Sequence, residues 1–197
     1  MAFLVTKEAP DFRATAVRED GTIDEDFQLS ALRGRYVFLL FYPMDFTFVC
    51  PTEILAFDDK LGELAERDCA VVGVSVDSPY THLAWRRTPV EEGGIGPIGF
   101  PLVSDMSRAI SRAYGVLFDE EIALRGLFLV DREGVVRHAI VNDDPIGRSV
   151  DEAVRTLDAL RFHDEHGEVC PANWKKGKKA MKPTTEGVID YLSKYAG

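Results

Sequence analysis

The chain has 197 residues, 46% of them hydrophobic, and a net charge of −10. That length and composition allow one full hydrophobic core, while the acidic balance argues against sequence-independent binding to nucleic acid. No apolar stretch approaches the about 20 residues that span a bilayer, so no membrane association is expected. Met1 to Pro10 also lacks the basic start and apolar run of a secretory leader, which makes a cytoplasmic location the expectation.

In chain order, residues 1–35 are turn-rich and charged, with Ala9-Pro10-Asp11-Phe12 followed by Glu19-Asp20-Gly21-Thr22. They predict an exposed N-terminal strand and hairpin leading to Phe27-Gln28-Leu29. Tyr36 to Tyr42 is an unbroken apolar and aromatic run, the composition of a strand buried on both faces. Pro43 stops it, because a central strand cannot lose a backbone donor. After a short aromatic loop the period changes. Ile54, Leu55, Phe57, Leu61 and Leu64 recur at helical spacing, predicting a helix over 52–67, with Pro51 suited to its first turn.

Cys69 to Asp77 predicts a second buried, parallel strand, and Pro79 to Thr88 a second helix carrying His82 and Trp85. A lone histidine on a helix is more often packed or at the surface than a ligand. Gly93-Gly94-Ile95-Gly96-Pro97-Ile98-Gly99 lacks a phosphate-loop signature and predicts a mobile loop. A short helix over 106–114 follows, then a strand over 124–131, a turn, and a more exposed antiparallel strand over 135–141. Ser149-Val150-Asp151-Glu152 has the capping-box pattern and starts a helix running to about His163. The fold class is therefore α/β. We place a first domain at 1–165 and a C-terminal tail at 166–197, the tail carrying Cys170, a lysine-rich run and a final helix over 185–195.

Three cysteines, Cys50, Cys69 and Cys170, are too few and too scattered for a disulfide framework, and no C-x-x-C pair or zinc spacing exists. Cys50 stands at a strand–loop–helix junction, beside unpaired helix N–H groups and the positive end of a helix dipole. That setting favours a thiolate. A free cysteine is ordinarily a small buried hydrophobe. The helix-start position beside Thr47 instead favours a reactive thiol at Cys50, whereas Cys69 reads as core or surface filler.

Pro43-x-x-x-Thr47-x-x-Cys50, within Asp45-Phe46-Thr47-Phe48-Val49-Cys50-Pro51-Thr52-Glu53, resembles the typical two-cysteine peroxiredoxins, thioredoxin-fold proteins that include the peroxidase component of alkyl hydroperoxide reductase. Val169-Cys170-Pro171 is a second marker of the same family, and the resemblance covers nearly the whole chain. It implies a thioredoxin-like fold, a central mixed sheet flanked by helices with a C-terminal tail extension. It also implies a peroxidase acting on hydrogen peroxide and small organic hydroperoxides, without metal, haem or flavin.

By this resemblance Cys50 is the nucleophile, Arg125 its activating cation, Thr47 a hydrogen-bonding partner of the peroxide, and Pro43 a shield against water. Glu53 and Arg148 resemble the auxiliary pair that positions Arg125. Cys170 would resolve the Cys50 sulfenic acid as a disulfide. The resemblance puts the two sulfurs on different protomers of a homodimer, although a disulfide within one chain is equally allowed by the sequence. It further implies a ring of five dimers, with Phe46, Phe48 and Trp85 packing around the site or the ring interface. Recycling would come from thioredoxin or a flavoprotein disulfide reductase. A peroxide sensor or a holdase chaperone is the alternative main role. Gly93-Gly94-Ile95-Gly96 matches the glycine motif of peroxide-sensitive members, but Tyr191-Leu192 replaces their Tyr-Phe. Intermediate sensitivity to overoxidation is expected.

Overall fold

The fold is known from a computed structural model, which describes residues 3–195. Residues 1 and 2, part of the segment read as lacking a leader, and the last two residues of the tail lie outside these. The chain divides into two compact units, Met1–Val150 and Asp151–Gly197.

The first unit is built on a seven-stranded mixed sheet. Its centre is β3 (Tyr36–Phe41), in which every residue is buried. β3 runs parallel to β4 (Cys69–Ser75), with Tyr36 opposite Cys69 and Phe41 opposite Val74. On its other side it runs antiparallel to β8 (Arg125–Val130). β9 (Val136–Asn142) forms one edge and is only partly buried, as its alternating pattern predicts. β1 (Arg13–Val17) and β2 (Ile23–Gln28) make the predicted N-terminal hairpin at the other edge.

α1 (Cys50–Asp59) and α2 (Leu61–Ala65) follow β3, and the ring of Phe57 packs 6.1 Å from that of Phe38. The single helix expected over 52–67 is thus two, broken at Lys60, where the backbone turns to φ −96°, ψ 1°. Both halves keep an apolar face, so the periodicity survives a break that it cannot register. α3 (Pro79–Arg87) begins at Ser78, whose hydroxyl caps the Thr81 N–H.

Beyond α3 the glycine-rich segment is fastened rather than loose. Arg86 donates to the carbonyls of Ile98 and Phe100, Trp85 donates to that of Gly93, and Ile95, Ile98 and Phe100 are buried. The segment ends in β5 (Leu102–Ser104), a strand too short and too close to Pro101 to be read in advance. β5 joins the hairpin to the centre and completes the sheet in the order β2-β1-β5-β4-β3-β8-β9. α4 (Ala109–Ala113) is shorter than expected, and a two-stranded hairpin of β6 (Leu117–Phe118) and β7 (Ile122–Ala123) precedes β8.

α5 (Val150–His166) extends about one turn further than expected. In the second unit the tail folds back on this helix: Arg155 Nη1 donates to the Trp174 carbonyl, and the Phe162 and Trp174 rings lie 5.1 Å apart. These contacts hold the tail to α5, so the compact unit that contains it begins at Asp151, ahead of the tail itself. α6 (Thr185–Tyr195) closes the described chain. Among the described residues no helix is long and apolar enough to cross a membrane.

Candidate active site

β3 ends at Phe41, and Pro43 follows closely as a buried residue at the mouth of the loop to α1. The loop is pinned from inside. Asp45 is buried; its Oδ1 accepts from Tyr42 Oη at 2.8 Å, and its Oδ2 meets His82 Nδ1 at 2.7 Å. The Asp45 backbone N–H donates to Asp77 Oδ2 at 2.9 Å. Burial raises the Asp45 carboxyl above its ordinary value although His82 works against it, and burial followed by the Asp45 charge raises Tyr42 further still. His82 is thus a packed histidine, as expected, but one that holds the site loop.

These bonds hold Phe46 at φ +53°, a left-handed conformation that costs an L-residue roughly 1–2 kcal/mol. The Phe46 ring packs 6.0 Å from the buried Trp85, whereas Phe48 is 94% exposed. Thr47 is half-buried and donates its hydroxyl to the Met44 carbonyl at 2.9 Å. With its proton so engaged, the Thr47 oxygen is left free to accept a hydrogen bond from an incoming O–H.

Cys50 is the first residue of α1 and is fully buried. No side chain caps that helix, and the positive end of its dipole is shared by the cysteine and by Glu53 in the same first turn. Arg125 opens β8, three strand residues before the pairing of Phe128 with Leu39, and is thereby carried across the centre of the sheet to Cys50. Its Nη1 stands 3.3 Å from Cys50 Sγ and 2.8 Å from Glu53 Oε2. Burial alone would lower the Arg125 basicity; the Cys50 sulfur and the Glu53 carboxylate outweigh it and raise it instead.

Glu53, one helical turn into α1, is the hinge of the cluster. Arg148 grips it through Nε at 2.7 Å and Nη2 at 2.8 Å, and spends Nη1 on the carbonyls of Phe41 and Gly126, each at 2.7 Å. Burial pushes the Glu53 carboxyl up, but the Arg148 hydrogen bonds and charge, then Arg125, hold it below its ordinary value. Two buried cations thus share one buried anion, and the guanidinium of Arg125 faces the sulfur.

Cys170 lies in the second unit, partly exposed, with Sγ 3.6 Å from the Ala159 carbonyl. Burial raises its thiol above the ordinary value, partly offset by Arg155. Cys50 and Cys170 are both free thiols. Of the residues singled out by sequence, Cys50, Glu53, Arg125 and Arg148 are joined by direct contacts. Pro43 and Thr47 share the loop before them. Sequence reasoning missed Asp45, whose role depends on a histidine 37 residues away, and Asp144, which bonds Arg125 from a turn that reads as solvated acid.

A cysteine at a helix start, a guanidinium at its sulfur and a carboxylate fixing that guanidinium define a thiol-chemistry site, and likeness to known proteins places it in a family. The AhpC/TSA family model matches residues 5–139, so the chain belongs to the AhpC/TSA family. A model of the C-terminal domain of 1-Cys peroxiredoxin matches residues 159–194, a region that here contains Cys170. The alkyl hydroperoxide reductase C of Helicobacter pylori (strain J99 / ATCC 700824) is 56% identical over 190 residues, covering 96% of both chains. Peroxiredoxin-2 of Mus musculus is 55% identical over 192 residues, 97% of this chain and 96% of its own. The reduced 2-Cys peroxiredoxin of Plasmodium vivax superposes with a TM-score of 0.95 at 52% identity, covering 98% of this chain and 100% of its own. The fold is the thioredoxin-like peroxiredoxin fold, as the motif resemblance implies.

Proposed function

We propose that this chain reduces peroxides with Cys50 as the attacking thiolate and Arg125 as the group that holds both the sulfur and the departing oxygen. The chain is a thiol peroxidase by family. The observation that carries the residue assignment is Arg125 Nη1, 3.3 Å from Cys50 Sγ and anchored to Glu53. A cation fixed beforehand beside a developing charge needs no reorganisation during the reaction.

The thiolate attacks the nearer oxygen of ROOH, the O–O bond breaks, and the products are Cys50–SOH and RO⁻. The RO⁻ develops against Arg125 and leaves as ROH after taking a proton from solvent water. Thr47 accepts from the peroxide O–H and so orients it in line, while Pro43 keeps water from the sulfur. The Cys170 thiol then condenses with the sulfenic acid, releasing water and forming a disulfide. A raised thiol at Cys170 suits a resolving group that does not itself compete for peroxide.

We assign the disulfide to the two protomers of a homodimer and the further assembly to a ring of five such dimers, on the strength of the motif resemblance. A dithiol donor, thioredoxin or a flavoprotein disulfide reductase, restores both thiols by exchange. A cytoplasmic site of action accords with a reducing donor.

The test is peroxide consumption with thioredoxin, thioredoxin reductase and NADPH for wild type, Cys50→Ser and Cys170→Ser, with non-reducing gels after one equivalent of peroxide. The expected result is no activity in Cys50→Ser, no sustained turnover in Cys170→Ser, and a disulfide-linked dimer for wild type. Normal turnover of Cys170→Ser would remove Cys170 from the mechanism. A wild type that reacts once and never turns over would exclude thioredoxin as donor.

A further inference from the structure

Arg125 has a second carboxylate partner on its solvent side. Asp144 Oδ1 accepts from Arg125 Nη2 at 3.1 Å, and the Asp144 backbone carbonyl accepts from Arg125 Nε at 2.5 Å. The guanidinium is 2% exposed and the Asp144 side chain 60% exposed, so the aspartate forms the water-facing end of the pair. At the other end of the same guanidinium, Nη1 faces Cys50 Sγ at 3.3 Å. The carboxylate therefore stands one guanidinium away from the reacting sulfur. That separation is comparable to the screening length of about 8 Å at physiological ionic strength, and buried intervening atoms weaken screening further.

The turn is built to keep Asp144 in place. Its backbone N–H donates to Asp143 Oδ1 at 2.8 Å, and Asn142 Nδ2 donates to the carbonyls of Ile146 and Gly147. Without the Asp144 charge, Glu53 would be the one carboxylate set against both Arg125 and Arg148, and with the Cys50 thiolate counted an approaching anion would meet a neutral cluster. With it, the two carboxylates balance the two arginines, and a thiolate at Cys50 makes the cluster negative.

We propose that Asp144 is a specificity-determining residue whose carboxylate, at the solvent edge of Arg125, disfavours peroxides that carry a negative charge relative to neutral peroxides of the same shape. The inference rests on the assignment of Cys50 and Arg125 made above. Anionic hydroperoxides, such as those bearing a carboxylate, are the class disfavoured. Hydrogen peroxide and neutral alkyl hydroperoxides are the class admitted.

Asp144→Asn tests this cleanly, because the amide oxygen can still accept from Nη2 and the backbone carbonyl still holds Nε. Single-turnover oxidation of Cys50 is measured with the para-carboxylate and the para-carboxamide of cumene hydroperoxide in wild type, Asp144→Asn and Asp144→Glu. The carboxylate-to-carboxamide rate ratio should rise about fivefold in Asp144→Asn at low ionic strength, and the rise should shrink in high salt. Asp144→Glu should restore the wild-type ratio. A ratio unchanged by Asp144→Asn overturns the proposal. Hydrogen peroxide serves as the control on the underlying assignment: if wild type does not consume it, or Cys50→Ser still does, that assignment fails instead.

Discussion

Glu53 and Arg148 meet through both carboxylate oxygens, Oε1 accepting from Nε and from the Arg148 backbone N–H at 2.7 Å and Oε2 from Nη2 at 2.8 Å. Because Oε2 also takes Arg125 Nη1, the carboxylate ties the loop before α5 to the guanidinium beside Cys50. Glu53→Ala would leave two buried guanidinium groups without their common partner. Removing one member of such a buried group typically costs about 3–5 kcal/mol. Urea unfolding of Glu53→Ala should register a loss of that size, with Glu53→Gln losing less. A loss under about 1 kcal/mol, typical of exposed pairs, would mean that the cluster does not behave as buried.

The same carboxylate gives the fold an acid sensitivity of known sign. Arg148 and Arg125 outweigh burial and hold Glu53 below its ordinary value of 4.5, so the folded state takes up this proton less readily than the unfolded chain. The resulting stabilisation is complete above the ordinary value and disappears as pH falls through the lower, folded one. Unfolding free energy followed from about pH 6 to about pH 3 should fall more steeply in wild type than in Glu53→Gln. Parallel curves would assign the acid sensitivity to other carboxylates.

Arg125 is the residue on which rate should depend most after the nucleophile itself. Arg125→Met removes the donor beside the sulfur, and losses of about 10²–10³-fold are typical for such groups. Arg125→Lys should recover only part of the rate, since one ammonium cannot hold Cys50, Glu53 and Asp144 together as the planar fork does. Stopped-flow single-turnover oxidation measures both. Full recovery by lysine would reduce the role of Arg125 to charge alone.

His82 should affect the same rate from behind the loop. It is the buried partner of Asp45, and the loop that Asp45 pins carries Thr47. His82→Leu leaves the Asp45 carboxyl without one of its partners, at a cost of about 1–3 kcal/mol. Peroxide affinity should weaken more than the limiting rate if Thr47 binds the substrate as proposed, because Cys50 and Arg125 stay in place. A variant that loses stability while reacting as wild type would confine His82 to the core.

What could be read in advance was whatever a short stretch of residues decides. Tyr36 to Phe41 is apolar throughout and is fully buried; Pro43 and Pro51 mark the end of one element and the start of the next. The motif around Cys50 then carried the family, and with it Arg125, Glu53 and Arg148. The missing pieces are those in which a residue's surroundings come from remote chain. Nothing local at Leu102 to Ser104 shows that β4 will pair with it, and nothing in Gly93 to Gly99 reveals that Arg86 and Trp85 will fasten the segment. Asp144 sits beside Asp143 in an acidic turn, and only the arrival of Arg125 distinguishes the two.

Arg125 follows Cys50 by 75 residues, and the two meet only across the central pairing of β3 with β8. On a translating ribosome the cysteine is therefore polymerised long before its guanidinium. At about 5–20 residues per second the interval is roughly 4–15 s, during which the nascent chain carries a thiol that has a helix start but no cation. If Arg125 activates Cys50 as proposed, that activation is deferred until the sheet has closed.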